Sequence, residues 1–158
     1  RDEPKQKFTF FYNTGKLSEI KTEENGVLRT YAKVEYDNTG KNVRSVTFDD
    51  NNGVNNGKVT YAYDYSKKVA AQYVPDDEVG HHFWAFLKYL NILEELKPEN
   101  LLTGSFLRTE HVPGDQTRVY SEHRFDSKGR LISFRLAEGW GGYTPQPGDG
   151  TDWDITWK

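Results

Sequence analysis

The sequence predicts a mainly β protein: a single antiparallel up-and-down meander of about ten strands, curved or barrel-like, with one helix near 78–97 packed on its apolar face. Three observations predict it. A short phrase occurs four times, as "FFYNTGKLSEI" (10–20), "VEYDNTGKNVRSV" (34–46), "YAYDYSKKVAAQ" (61–72) and "HRFDSKGRLISF" (123–134). Apolar and polar residues alternate ahead of each turn in the phrase. Asn-Gly pairs at 25–26, 52–53 and 56–57 punctuate the intervals, and Asn-Gly between alternating runs is the strongest short hairpin signal.

Each copy reads as one hairpin. In "KVEYD" Val34 and Tyr36 share one face, and Lys33, Glu35 and Asp37 the other. In "KVTYAYD" Val59, Tyr61 and Tyr63 oppose Lys58, Thr60, Ala62 and Asp64. A period of two marks half-buried strands. The turns Asn13-Thr14-Gly15, Asp37-Asn38-Thr39-Gly40 and Asp126-Ser127-Lys128-Gly129 follow. Asn and Asp bond to nearby backbone, and Gly takes positive φ without strain. The third copy, "YDYSKKV", lacks the Gly. Strands are expected near 7–13, 16–23, 28–37, 41–49, 57–64, 67–74, 104–112, 117–126, 130–137 and 151–157. The last, "TDWDITW", puts Trp153, Ile155 and Trp157 on one face.

Tyr12 to Tyr36 is 24 residues and Tyr36 to Tyr63 is 27, but Tyr63 to Phe125 is 62. An insertion at about 76–98 therefore interrupts a single domain, 1–158. Within it Asp76 or Asp77 offers a cap and Pro98 a stop. Phe83, Phe86, Leu87, Leu90 and Leu93 recur at helical spacing and need a partner, which the apolar face of the sheet supplies. "EGWGGYTPQPGDG" (138–150) is a Gly/Pro loop without period.

Composition excludes some functions. With 21 Lys and Arg against 24 Asp and Glu, the net charge is -3, and no basic stripe offers a footprint for nucleic acid. The absence of Cys rules out thiol catalysis, thiolate metal sites and disulfides within the chain. Apolar residues are 35% but aromatics are 15%, so a few large rings supply most of the buried area. Met is absent, even at position 1. The start "RDEPKQK" fits a mature N-terminus behind a removed tether, and equally an artificial boundary.

The aromatic-Asp-x-x-Gly-Arg/Lys-Leu phrase resembles the YD repeats of bacterial cell-surface proteins. With four degenerate copies, a late helix and a Trp-containing last strand, the chain is similar to a family of secreted lipoproteins of Bacteroidota, of unknown function and porin-like fold. The resemblance covers roughly 8–157, and its best copy is "RFDSKGRLISF" (124–134). It implies an exported protein of the periplasm or cell surface, lipid-anchored at the outer membrane through its N-terminus. It brings no catalytic motif. A membrane barrel and a soluble protein share alternating strands. The charged face (Lys33, Glu35, Arg118, Glu122, Arg124), the helix and the terminal Lys158 favour the soluble reading.

No catalytic set, metal site or cofactor site emerges. Glu78 and His82 sit at i, i+4, a spacing that can hold zinc, but a third ligand is not evident, although His111 and His123 are unplaced. A first helical turn with an acid near the positive dipole end explains the pair as well. "DDNNGVNNG" (49–57) has Gly at its fifth position, not its sixth, and Thr60 at the twelfth, so it fails the calcium-loop pattern. Ser105 in "TGSF" lacks a nucleophile elbow, and none of the 24 acids is singled out for glycoside hydrolysis. His123, on the Val119/Phe125 face, reads as a buried histidine.

Aromatics outside the apolar faces are the remaining signal. Trp84 aligns with His81, Lys88, Asn91 and Glu95, the polar face of the helix, while Trp140 and Tyr143 lie in the Gly/Pro loop. Flat rings in such places stack on sugars or peptides; alternatively Trp140 plugs an open barrel end. The expectation is a non-enzymatic binding or interaction module of the cell envelope, its partner an unknown envelope protein or a glycan, with Trp84, Trp140 and Tyr143 as candidate ligand-facing residues.

Overall fold

The computed structural model describes residues 5–49, 56–72, 98–109 and 115–157. They form one open antiparallel meander in which strand order equals chain order. The strands are β1 (Gln6–Asn13), β2 (Lys16–Glu24), β3 (Val27–Tyr36), β4 (Val43–Asp49), β5 (Gly57–Lys68), β6 (Asn100–Thr109), β7 (Gln116–Phe125), β8 (Leu131–Trp140) and β9 (Thr151–Asp154). The predicted helix, with Trp84, Glu78 and His82, lies outside the described residues, as do His111 and Asn52-Gly53.

The turns form where the sequence places them. Thr14-Gly15 and Asn25-Gly26 are two-residue loops with positive φ at both positions (51° and 77°, 52° and 82°). That is the turn whose twist matches the flanking strands. The two Asp-x-x-Gly turns are built alike. Asp37 Oδ1 accepts from the backbone N–H of Thr39 (3.1 Å) and Lys41 (3.2 Å). Asp126 Oδ1 accepts from those of Lys128 and Arg130, both at 2.9 Å. In each, the Gly N–H donates to the Asp carbonyl at 3.0 Å.

The phrase's tyrosines have a shared role. The Tyr36 hydroxyl donates to the Leu17 carbonyl (3.1 Å) and the Tyr63 hydroxyl to that of Val43 (2.8 Å). Each thereby ties its strand to the start of the preceding one. Burial pushes the Tyr63 phenol well above its ordinary pKa.

The third copy departs from expectation. No separate strand forms over 67–72, the described part of the expected strand 67–74; residues 67 and 68 instead end β5, which pairs with β6 through irregularities after Ala62 and Asp64. Asp64 Oδ1 still accepts from the Ser66 N–H (2.9 Å) and hydroxyl (2.6 Å). Without a Gly to take positive φ, the same Asp makes a bulge rather than a reversal. Among the described residues the sheet thus has nine strands, and β1 and β9 are its edges.

The core lies on one face. Ile20, Ala32 and Phe48 form one cross-strand row, and Val34, Val46, Val59 and Leu107 the next. Tyr120, Phe134 and Leu136 extend the core along β7 and β8, and the Trp153 ring lies parallel to that of Phe134, centroids 6.2 Å apart. The ladder of the last strand stops at Asp154, yet Ile155 packs on the core and the Trp157 indole N–H donates to the Leu131 carbonyl (2.7 Å).

One face assignment is reversed. The alternation puts Val119 inward and Arg118 outward. In the structure Gln116, Arg118 and Tyr120 are buried, and Arg118 pairs in register with Ser105. The cause is a bulge at Glu122, a non-glycine residue with φ 51°. Beyond it the facing shifts by one residue, so Phe125 joins the core while Val119 lies opposite Gly104 and Ala137. Extrapolating back from Phe125 across the bulge gives the wrong face.

Candidate binding site

Trp140 ends β8 and Tyr143 follows it across a tight turn. Gly141 and Gly142 adopt φ of 64° and 90°, and the Tyr143 N–H donates to the Trp140 carbonyl (3.2 Å). A turn of this kind holds its end residues within about 7 Å at Cα. The Gly141 N–H also donates to the Asp115 carbonyl (3.1 Å), which pins the turn to the start of β7. Both rings face solvent: Trp140 is 44% exposed and Tyr143 60%.

The loop after the turn folds back over the face of the sheet opposite the core. A Cβ on Gly139 would stand 2.1 Å from the Tyr143 carbonyl oxygen, so only Gly permits that approach. Pro145 is buried there. The Gly148 N–H donates to the Ser121 hydroxyl (3.2 Å), and its carbonyl accepts from Arg135 Nη1 (3.2 Å). Asp149 Oδ2 accepts from the Gln146 N–H (2.9 Å). Tyr143 thus sits on a tethered loop beside a strand end.

On the core face, Trp140 is the register partner of Gln116, which pairs with Leu107. The next position along that face holds Arg118, whose Nε donates to Glu138 Oε1 (2.7 Å). The sequence pattern does not single out Gln116, and it places Arg118 on the outer charged face. The signal was their alternation with Tyr120 in "QTRVY", masked by the bulge downstream.

Two carboxylates outside this region are held in ion pairs. Glu35 accepts from the Ser45 hydroxyl (2.9 Å), with Arg44 and Lys58 near, and these hold its carboxyl at a pKa of about 2. Glu99 bridges Lys41 (2.9 Å) and Lys68, whose hydrogen bonds lower its pKa. His123, just beyond the bulge, has its pKa lowered by burial, with Lys67 acting in the same direction. Its Nε2 is buried without a hydrogen-bond partner. Among the described residues no group of three His, Asp or Glu side chains is placed to hold a metal, and no helix is long and apolar enough to cross a membrane. Ser105 is buried on β6 beside Arg118, with no base described against it.

No family model matches the chain, and no curated protein matches it.

Proposed function

We propose that the protein is a non-catalytic binding module of the cell envelope, with Trp140 and Tyr143 as its ligand-facing groups. The observation that carries this reading is that Trp140 and Tyr143, both exposed, stand at the two ends of the Gly141-Gly142 turn, whose backbone is held to Asp115. Large apolar rings exposed on a braced element offer contact area at small ordering cost. The ligand class they suit is a glycan, with an extended peptide of an envelope partner as the alternative. The placement in the envelope, behind a lipid anchor, follows from the resemblance of the repeated phrase to secreted lipoproteins. A precursor gene with no signal peptide ending in Cys upstream of Arg1 would remove that part of the reading.

The test is a glycan array run with wild type and the Trp140→Ala, Tyr143→Ala and Trp84→Ala variants. Stacking on an exposed ring is worth about 1 kcal/mol or more, so its loss should weaken binding at least several-fold. If wild type binds no glycan, the sugar reading goes; a peptide library from envelope proteins then decides whether the rings bind anything.

A further inference from the structure

Four side-chain amides are buried among the described residues: Asn42, Gln72, Asn100 and Gln116. Three are fully engaged. Asn42 donates to Asp37 (2.7 Å) and Asn100 (3.0 Å), and Gln72 donates to the Asn100 carbonyl (2.6 Å) and accepts from the Leu102 N–H (2.9 Å). Gln116 is the exception. It is 1% exposed, and among the described residues neither its Oε1 nor its Nε2 has a hydrogen-bond partner.

An amide buried in this way destabilises the fold, because its lost hydration is not replaced. A Leu of similar size would satisfy the position better, since its neighbour across one strand is the buried Leu107. Groups that lower stability without a structural return collect where function requires them. The neighbour across the other strand is the exposed Trp140. Register partners on one face have Cβ atoms about 4.5–5.5 Å apart. The row therefore runs from core, through an unsatisfied amide, to a ring open to solvent.

We propose that Gln116 is the polar anchor of the Trp140 site, and that the site takes an uncharged, hydroxylated ring, a sugar residue. The inference rests on the reading of Trp140 as a ligand-facing group. An amide carries one carbonyl acceptor and two N–H donors, and sugar hydroxyls both donate and accept, so adjacent hydroxyls meet both ends of it. For this, the Gln116 side chain, 1% exposed in this structure, must turn toward Trp140 when the ligand binds. The charged group next along that face is already paired, Arg118 with Glu138 at 2.7 Å. That favours a neutral ligand over an ionic one.

The experiment compares wild type, Gln116→Leu, Gln116→Met and Trp140→Ala by thermal melting and by titration with neutral oligosaccharides and their sulfated counterparts. Both Gln116 variants should melt higher than wild type, by about 3 °C or more. They should bind neutral oligosaccharide about fivefold or more weakly. A rise in melting temperature with unchanged, Trp140-dependent binding overturns this proposal and leaves the glycan reading intact. A fall in melting temperature in both variants shows that the amide is satisfied and overturns it too. Preference for the sulfated sugars overturns the ligand class. If wild type binds no sugar, the reading of Trp140 fails and takes this inference with it.

Discussion

Asn42 and Asn100, 58 positions apart in the chain, hold each other by two hydrogen bonds: Asn42 Nδ2 to Asn100 Oδ1 at 3.0 Å, and the Asn100 backbone N–H to Asn42 Oδ1 at 2.9 Å. The pair ties the β3–β4 turn to the first residue of β6. It extends to Asp37 on one side and to Gln72 on the other. Truncation therefore strands several buried groups at once. Asn42→Ala should cost about 2–4 kcal/mol in urea unfolding. A double-mutant cycle with Asn100→Ala should give strong coupling, and additive costs would show that the two amides act separately.

Acid should weaken the fold through the carboxylates at this turn and the strand beside it. The Ser45 hydroxyl, with Arg44 and Lys58, lowers the Glu35 pKa from 4.5 to about 2. Burial opposes ionisation of Asp37, but hydrogen bonds from Asn42, Thr39 and the backbone outweigh it and lower its pKa from 3.8 to about 2. Both are depressed in the folded state. Their contribution is therefore complete above the unfolded values and is lost as pH falls from about 4.5 toward 2. Urea midpoints measured across that range should drop, and Glu35→Gln should flatten part of the drop. An unchanged slope in the variant would assign the acid sensitivity elsewhere.

Two glycines should respond differently to Ala. At Gly26 a Cβ meets nothing within 4 Å, so only its φ of 82° is at issue, and the cost should be about 1 kcal/mol. At Gly139 a Cβ collides with the Tyr143 carbonyl oxygen and Pro145. Gly139→Ala should cost about 3 kcal/mol and displace the loop that carries Tyr143. Equal melting temperatures for the two variants would mean the loop yields easily.

Trp140→Ala and Tyr143→Ala should each move the melting temperature by less than about 3 °C, since both rings are exposed. A drop of many degrees for Trp140→Ala would make the ring part of the core rather than a contact surface.

Most of the sheet was legible because its turns announce themselves. Asn25-Gly26 and the two Asp-x-x-Gly copies have few alternative backbone solutions, and the strands follow from them. The third copy warned of its own failure, through the Gly missing from "YDYSKKV". The facing of β7 carried no such warning. A Glu at positive φ leaves no mark on the sequence, and one extra residue turns a charged outer stripe into a buried Gln116 and Arg118. Trp140 and Tyr143 stand out as aromatics in a Gly/Pro stretch, but β8 runs on to Trp140, so of the two only Tyr143 lies in the loop. Gln116 was missed because its significance lies in lacking a partner, which depends on the packing around it and not on its neighbours in sequence.

Strand order that follows chain order also has a kinetic consequence. Every pairing except one joins strands separated by a short connection. Only β5 and β6 must close a longer excursion, between Lys68 and Asn100. Hairpins form in about 1–10 μs, and the cost of loop closure grows with length. The first five strands can therefore zip together as they emerge from a ribosome, before the second half of the chain is present. Pairing β6 with β5 is the one step that must close this separation, and the Asn42–Asn100 pair, which spans it, fastens that step.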